Sequence, residues 1–180
     1  MGSTSREERR QRVIEVLNKA RSMELEAIHQ YMNQHYSLDD MDYGDLARNM
    51  KLIAIDEMRH AEAFAERVKE LGGEPTSELA GTIVKGQDVK TIYSFDAAAE
   101  DETIDLYNQF LLVCRECGDS TSMKIFEEII DEEQAHMSYF ENVETHIEKL
   151  GETYLARIAG TSASTGGTTK GFIISNGGAE

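Results

Sequence analysis

Residues 56–61 read Asp56-Glu57-Met58-Arg59-His60-Ala61, and 76 positions later residues 132–136 read Glu132-Glu133-Gln134-Ala135-His136. A Glu and a His three apart on a helix share one face, so each pair can grip one edge of a metal. The interval recurs elsewhere. Glu24 and Glu100, and Tyr31 and Tyr107, are also 76 positions apart. The chain is therefore an internal repeat in which each half supplies a lone Glu and, 33 residues later, a Glu-x-x-His pair.

These residues fall on apolar seams. Helical stepping of three and four reads Leu17, Ala20, Glu24, Ala27, Tyr31 and then Met50, Ile53, Glu57, His60, Phe64 in the first half. The second half gives Tyr93, Asp96, Glu100, Thr103, Tyr107, Phe110 and then Phe126, Ile129, Glu133, His136, Phe140, Val143, Ile147. Isolated charge in a core costs several kcal/mol unless it is paired or bound to metal. A single such residue reads as a solvated charge or a satisfied core group. A fourfold recurrence at one spacing does not. Four carboxylates balance two divalent cations, and oxygen-rich ligation with one imidazole per metal suits iron or manganese better than structural zinc. Tyr31 and Tyr107 either donate hydrogen bonds to the carboxylates of the opposite half or fill the core.

Punctuation sets the fold class as all-α. One proline, no tryptophan and abundant helix formers leave few breaks. Ser5-Arg6-Glu7-Glu8 has capping-box spacing and opens a first helix reaching about residue 36. A turn at 39–44 precedes a second helix over about 45–71, which Gly72-Gly73-Glu74-Pro75 stops. Asp88 caps a third helix ending at Cys117, and Gly118-Asp119-Ser120 leads into a fourth that ends at Leu150. Residues 152–159 make a short fifth helix. A helix of about 28 residues is roughly 42 Å long, so the short first and third connections make antiparallel hairpins. The connection at 72–87 can stretch to roughly 50 Å and return along the bundle. The expected architecture is a four-helix bundle of two antiparallel hairpins with one long crossover, plus a short C-terminal fifth helix, spanning residues 1–159. Residues 160–180, rich in Gly, Ser and Thr, form a mobile tail in which Phe172-Ile173-Ile174 can dock.

The segments Met23-Glu24-Leu25-Glu26-Ala27-Ile28-His29-Gln30-Tyr31, 56–61 and 132–136 resemble the ferritin-like di-iron carboxylate proteins, and specifically the bacterioferritins, over residues 10–158. That resemblance implies a di-iron ferroxidase for iron storage, oxidising Fe(II) with O2 or H2O2 and collecting the ferric mineral inside a 24-subunit shell. It makes Glu57 and Glu133 bridging ligands, and Glu24, Glu100, His60 and His136 terminal ones. It makes Met58 the axial ligand of a haem shared by two subunits, and it implies an electron-donor protein such as a ferredoxin. One departure is Leu52, where some bacterioferritins carry a histidine of an auxiliary inner-surface iron site. Asp56 of that site remains, and the site is not expected.

Two other functions share parts of this pattern. A rubrerythrin-like di-iron peroxidase usually adds a rubredoxin-like module on four cysteines, and the chain has 2. A non-catalytic metal-buffering shell such as the Dps proteins builds its iron sites between subunits, whereas here six ligands lie in one chain. The formal charge of −16 disfavours nucleic acid and anionic membranes as partners and favours cations. The longest apolar run, 110–114, cannot span a bilayer, and no apolar stretch of a signal peptide follows the polar start, so the expected location is the cytoplasm. Arg6 departs from the myristoylation pattern that Met1-Gly2 opens. Cys114-Arg115-Glu116-Cys117 ends a helix rather than following a strand, so its C-x-x-C spacing carries no redox reading. Asp40-Met41-Asp42-Tyr43-Gly44 lacks the distal acid of a calcium loop.

Comparing the two halves one residue past each inward position shows where the repeat breaks. Leu25, Ile28, Met32, Ala54, Met58, Ala61 and Ala65 are apolar, while the second half reads Asp101, Ile104, Asn108, Ile130, Gln134, Met137 and Glu141, largely polar. An apolar outer face on helices one and two implies a two-fold dimer there.

Overall fold

The computed structural model describes residues 5–176; residues 1–4, with the Met1-Gly2 start, and 177–180 lie outside the described residues. Six helices follow in order: α1 (Arg6–Asp40), α2 (Gly44–Glu70), α3 (Val89–Cys117), α4 (Ser120–Leu150), α5 (Glu152–Ile158) and α6 (Phe172–Ser175). Among the described residues the only extended pairing is an isolated bridge between Tyr43 and Thr161. No helix of the described residues is long and apolar enough to cross a membrane.

The ends of the helices follow from local chemistry. The Ser5 hydroxyl accepts from the Glu8 N–H at 3.1 Å while the Glu8 carboxylate accepts from the Ser5 N–H at 2.7 Å, completing the capping box. α1 continues one turn beyond the expected stop near residue 36, because nothing breaks it before the chain enters the left-handed region at Asp42. α3 ends where Gly118 takes φ 74°, which a side chain disfavours. Asp119 then caps α4 by accepting from the Ser122 N–H at 3.1 Å, and Arg67 of α2 clamps the same carboxylate.

The crossover runs beside α1. Asn18 donates to the Glu74 carbonyl and accepts from the Thr76 N–H, Ser22 accepts from Ala80, and Gln30 pairs both ways with Val84. These contacts return the chain along α1, so α3 starts near Gln34 and descends antiparallel to α1. After α5, the Gly160 N–H donates to the Asp42 carbonyl, and the Gly/Ser/Thr-rich stretch crosses to α2, where α6 lies.

The core is divided. One apolar cluster gathers Leu38, Met50, Ile53, Ile92, Tyr93 and Phe140; a second gathers Leu17, Phe64, Val68, Tyr107 and Phe126. Between them lie Glu24, Glu57, His60, Glu100, Glu133 and His136, each at most 3% exposed. The bundle thus spends its middle layer on charge, and its stability rests on the two apolar ends.

Candidate metal centre

Each of the four long helices delivers its polar residues to this layer from mid-helix, where rigid backbone fixes their direction. Glu24, Glu57, His60 and Glu133 offer ligand atoms all within 4.8 Å of one another, and Glu57, Glu100, Glu133 and His136 do the same. Glu57 and Glu133 belong to both sets. The geometry around them is reciprocal. His60 Nδ1 lies 3.0 Å from Glu57 Oε2 and 3.1 Å from Glu133 Oε1; His136 Nδ1 lies 2.9 Å from Glu133 Oε2 and 3.1 Å from Glu57 Oε1. Each central carboxylate therefore turns one oxygen to each imidazole. Glu57 Oε1 and Glu133 Oε1 are buried without a hydrogen bond, which in an apolar protein interior calls for a cation. Oxygen donors with one nitrogen per set suit iron or manganese better than structural zinc.

The two tyrosines donate across the repeat. The Tyr31 hydroxyl donates to Glu100 Oε1 and the Tyr107 hydroxyl to Glu24 Oε1, each in the opposite half, which fixes both carboxylates beside the centre. Sequence reasoning did not single out the outer partners of the imidazoles. His60 Nε2 lies 3.0 Å from Glu132 Oε2, and His136 Nε2 lies 3.4 Å from Asp56 Oδ2. Asp56 and Glu132 are themselves 76 positions apart, so the repeat held the signal. Such partners fix ring orientation and leave Nδ1 facing inward.

Charge in this layer is balanced by protons when no cation is bound. Burial, reinforced by the Glu133 and Glu57 carboxylates, raises Glu24 and Glu100 well above the usual carboxylate range. Burial would lower the imidazoles, but Glu133 beside His60 and Glu57 beside His136 raise both well above their ordinary value. Burial likewise opposes ionisation of Glu57, yet His136 and His60 hold its carboxyl below the usual range. Cations entering the layer displace these protons, so binding weakens as pH falls.

A cavity of about 360 Å³ reaches the layer between α1 and α3, lined by Glu24, Tyr31, Glu57, Asp96, Glu100 and Glu133. Glu26, Glu102 and Gly81 also line it. Met58 points elsewhere: it follows Glu57 on α2 and is 51% exposed. On the apolar outer face, Leu25, Ile28, Met32 and Ala65 remain partly exposed, whereas Ala54 and Ala61 are buried within the chain itself. The face is correspondingly narrower than the sequence pattern implies. Cys114 is buried and free, and burial pushes its thiol up to about 12, which keeps it protonated.

The ferritin-like domain model matches residues 14–150. A bacterioferritin of Desulfovibrio desulfuricans is 65% identical over 176 residues, 98% of each chain. A bacterioferritin of Mycolicibacterium paratuberculosis is 34% identical over 146 residues, covering 81% of this chain and 92% of the relative. The crystal structure of Desulfovibrio desulfuricans bacterioferritin, described for its diiron site in different catalytic states, superposes with a TM-score of 0.91 at 66% identity, covering 94% of this chain and 99% of that one. Mycobacterium tuberculosis bacterioferritin BfrA superposes with a TM-score of 0.78 at 32% identity, covering 82% and 93%.

Proposed function

The chain belongs to the ferritin-like family and, within it, to the bacterioferritins, and from that premise we propose that Glu24, Glu57, His60, Glu100, Glu133 and His136 are the ligands at which it oxidises iron. The protein is an iron-storage ferroxidase with a di-iron centre. The observation that carries the residue assignment is the reciprocal geometry of Glu57 and Glu133, one oxygen toward each imidazole.

Two irons held there supply the electrons that O2 or H2O2 accepts as Fe(II) becomes Fe(III). The protein's part is ligation and positioning. Glu57 and Glu133 span the two positions and hold the cations close against their mutual repulsion. Glu24 with His60, and Glu100 with His136, close the two ends. Tyr107 and Tyr31 fix the terminal carboxylates, and the cavity between α1 and α3 admits Fe(II) past Glu26 and Glu102. The acidic lining draws cations inward.

Haem belongs to this family's chemistry, and Met58 fits it: its exposed thioether beside the half-buried Leu25, Ile28 and Met32 would be the soft donor that holds the haem iron at a two-fold contact between subunits. Bound there, haem supplies a one-electron carrier. The protein's partners are Fe(II) and copies of itself assembled into a shell. We assign that shell 24 subunits, an electron-donor protein such as a ferredoxin, and a place in the cytoplasm; the bacterioferritin likeness supports each. Residues 1–159 are assigned as the bundle and 160–180 as an appended segment.

Aerobic addition of Fe(II) in large excess over the ferroxidase ligands tests storage and assembly together. Sedimentation should find the ferric iron travelling with particles near 24 times the 20.2 kDa chain mass. Ferric iron precipitating away from a dimer would contradict storage in a shell.

A further inference from the structure

The pseudo-two-fold repeat is broken at the outer nitrogens of the two imidazoles. Asp56 faces His136 Nε2 and Glu132 faces His60 Nε2, but the carboxylates are not in equivalent surroundings. The Glu132 side chain is 41% exposed, whereas that of Asp56 is 1% exposed. What covers Asp56 lies outside the repeat. The Ile173 N–H donates to Asp56 Oδ2 at 3.0 Å, and the Arg59 guanidinium lies 3.4 Å from Oδ1 while donating to the Thr169 carbonyl at 2.8 Å. Gly171 presses on the same carboxylate so closely that a Cβ there would sit 1.7 Å from Oδ1. Its φ of −79° is open to any residue, so the glycine is required by space rather than by backbone conformation. Phe172 packs its ring 4.8 Å from Tyr139 and 6.1 Å from His136, centroid to centroid. Among the described residues no segment outside the repeat bonds the Glu132 carboxylate, which borders a recess of about 360 Å³ that His60, Asp56 and Ile174 also line.

We propose that residues 169–174 are a strap that fixes His136 through Asp56, so that the two metal positions of one chain are held unequally, the His136 position more tightly than the His60 position. The inference rests on the ligand assignment above. A carboxylate held by a backbone N–H, an arginine and a glycine contact cannot swing away, and the imidazole it orients keeps Nδ1 aimed inward. Glu132 also meets its imidazole, at 3.0 Å, but its 41%-exposed side chain has no backbone N–H or arginine holding it in turn among the described residues, so its hold on His60 is the looser one. Asp56, Gly171 and Phe172 are positioning residues, since they act on the metal only through His136.

Anaerobic titration with Co(II), followed by calorimetry and by visible ligand-field absorption, separates the two positions. The full chain should bind two Co(II) in steps at least about tenfold apart in affinity. His136→Ala should delete the tight step and His60→Ala the loose one. Gly171→Ala, and separately a chain ending after Ser164, should weaken the tight step by about 10–100-fold and shift its absorption bands while leaving the loose step in place. The shorter chain retains the Thr161 contacts with Gly44 and Asp45, and circular dichroism should show the bundle's helix content kept. Two Co(II) bound by the full chain, with binding curves and spectra unchanged in both strap variants, would overturn the strap alone. Equal steps in the full chain, or weakening confined to the His60 step, would also overturn it. Failure of the full chain to bind two Co(II) would remove the metal centre, and the strap with it.

Discussion

Glu133→Ala should slow Fe(II) oxidation by at least about 100-fold, and Glu57→Ala should do the same. The reason is that each of these carboxylates serves both halves of the centre. Removing a terminal ligand weakens one position. Removing a shared one leaves both cations short of a ligand and takes away a negative charge that offsets their repulsion. Neither variant should unfold the bundle, because the apolar clusters above and below the layer are untouched. In the metal-free chain either substitution removes a partner of the buried imidazoles, so some stability is lost while the fold is kept. Stopped-flow oxidation of anaerobically loaded protein checks the pair. Oxidation by Glu133→Ala at the unsubstituted rate would show that it does not bridge.

Met58→Leu should abolish the low-spin absorption spectrum of protein-bound haem, a complete loss of signal, while leaving Fe(II) oxidation intact. Met58 and Glu57 are neighbours in sequence but about 100° apart around α2, so one is 51% exposed and the other 1%. Leucine conserves volume and apolar character, so the substitution deletes the sulfur donor without removing the packing knob. The half-buried Leu25, Ile28 and Met32 still present their surface for a second copy, so particle size should be unchanged. Retention of the spectrum in the leucine variant would reduce Met58 to a packing contact.

Most of the fold was legible because its signals are local and repeated. Sparse glycines and a single proline mark the helix ends, and loop length alone separates hairpins from the crossover. The inward carboxylates and histidines were legible because charge on an apolar stripe is expensive, and a fixed spacing removes coincidence. What escaped was of another kind. The crossover's register on α1 depends on Asn18 and Gln30 bonding to distant backbone, contacts with no periodic trace. The burial of Ala54 and Ala61 depends on how closely the helices approach, which small residues permit but do not announce. Composition reads residues 160–180 as a mobile Gly/Ser/Thr-rich tail with a Phe172-Ile173-Ile174 stretch that can dock, and says nothing of where, although Gly171 meets one particular carboxylate. Asp56 and Glu132 were within reach of the repeat, but the family resemblance presents Asp56 only as the remnant of an auxiliary iron site, and Glu132 goes unweighed beside Glu133.

The layer's chemistry before iron arrives sets the most direct test. Protons on the two imidazoles, held there by Glu133 and Glu57, stand in place of metal charge. Anaerobic Fe(II) titration at constant pH, with released protons counted alongside bound iron, reads both quantities at once. The account predicts saturation close to two Fe(II) per chain, with proton release accompanying each ion. Saturation at one Fe(II) per chain, or two bound with no proton released, would contradict a paired centre built from these six residues.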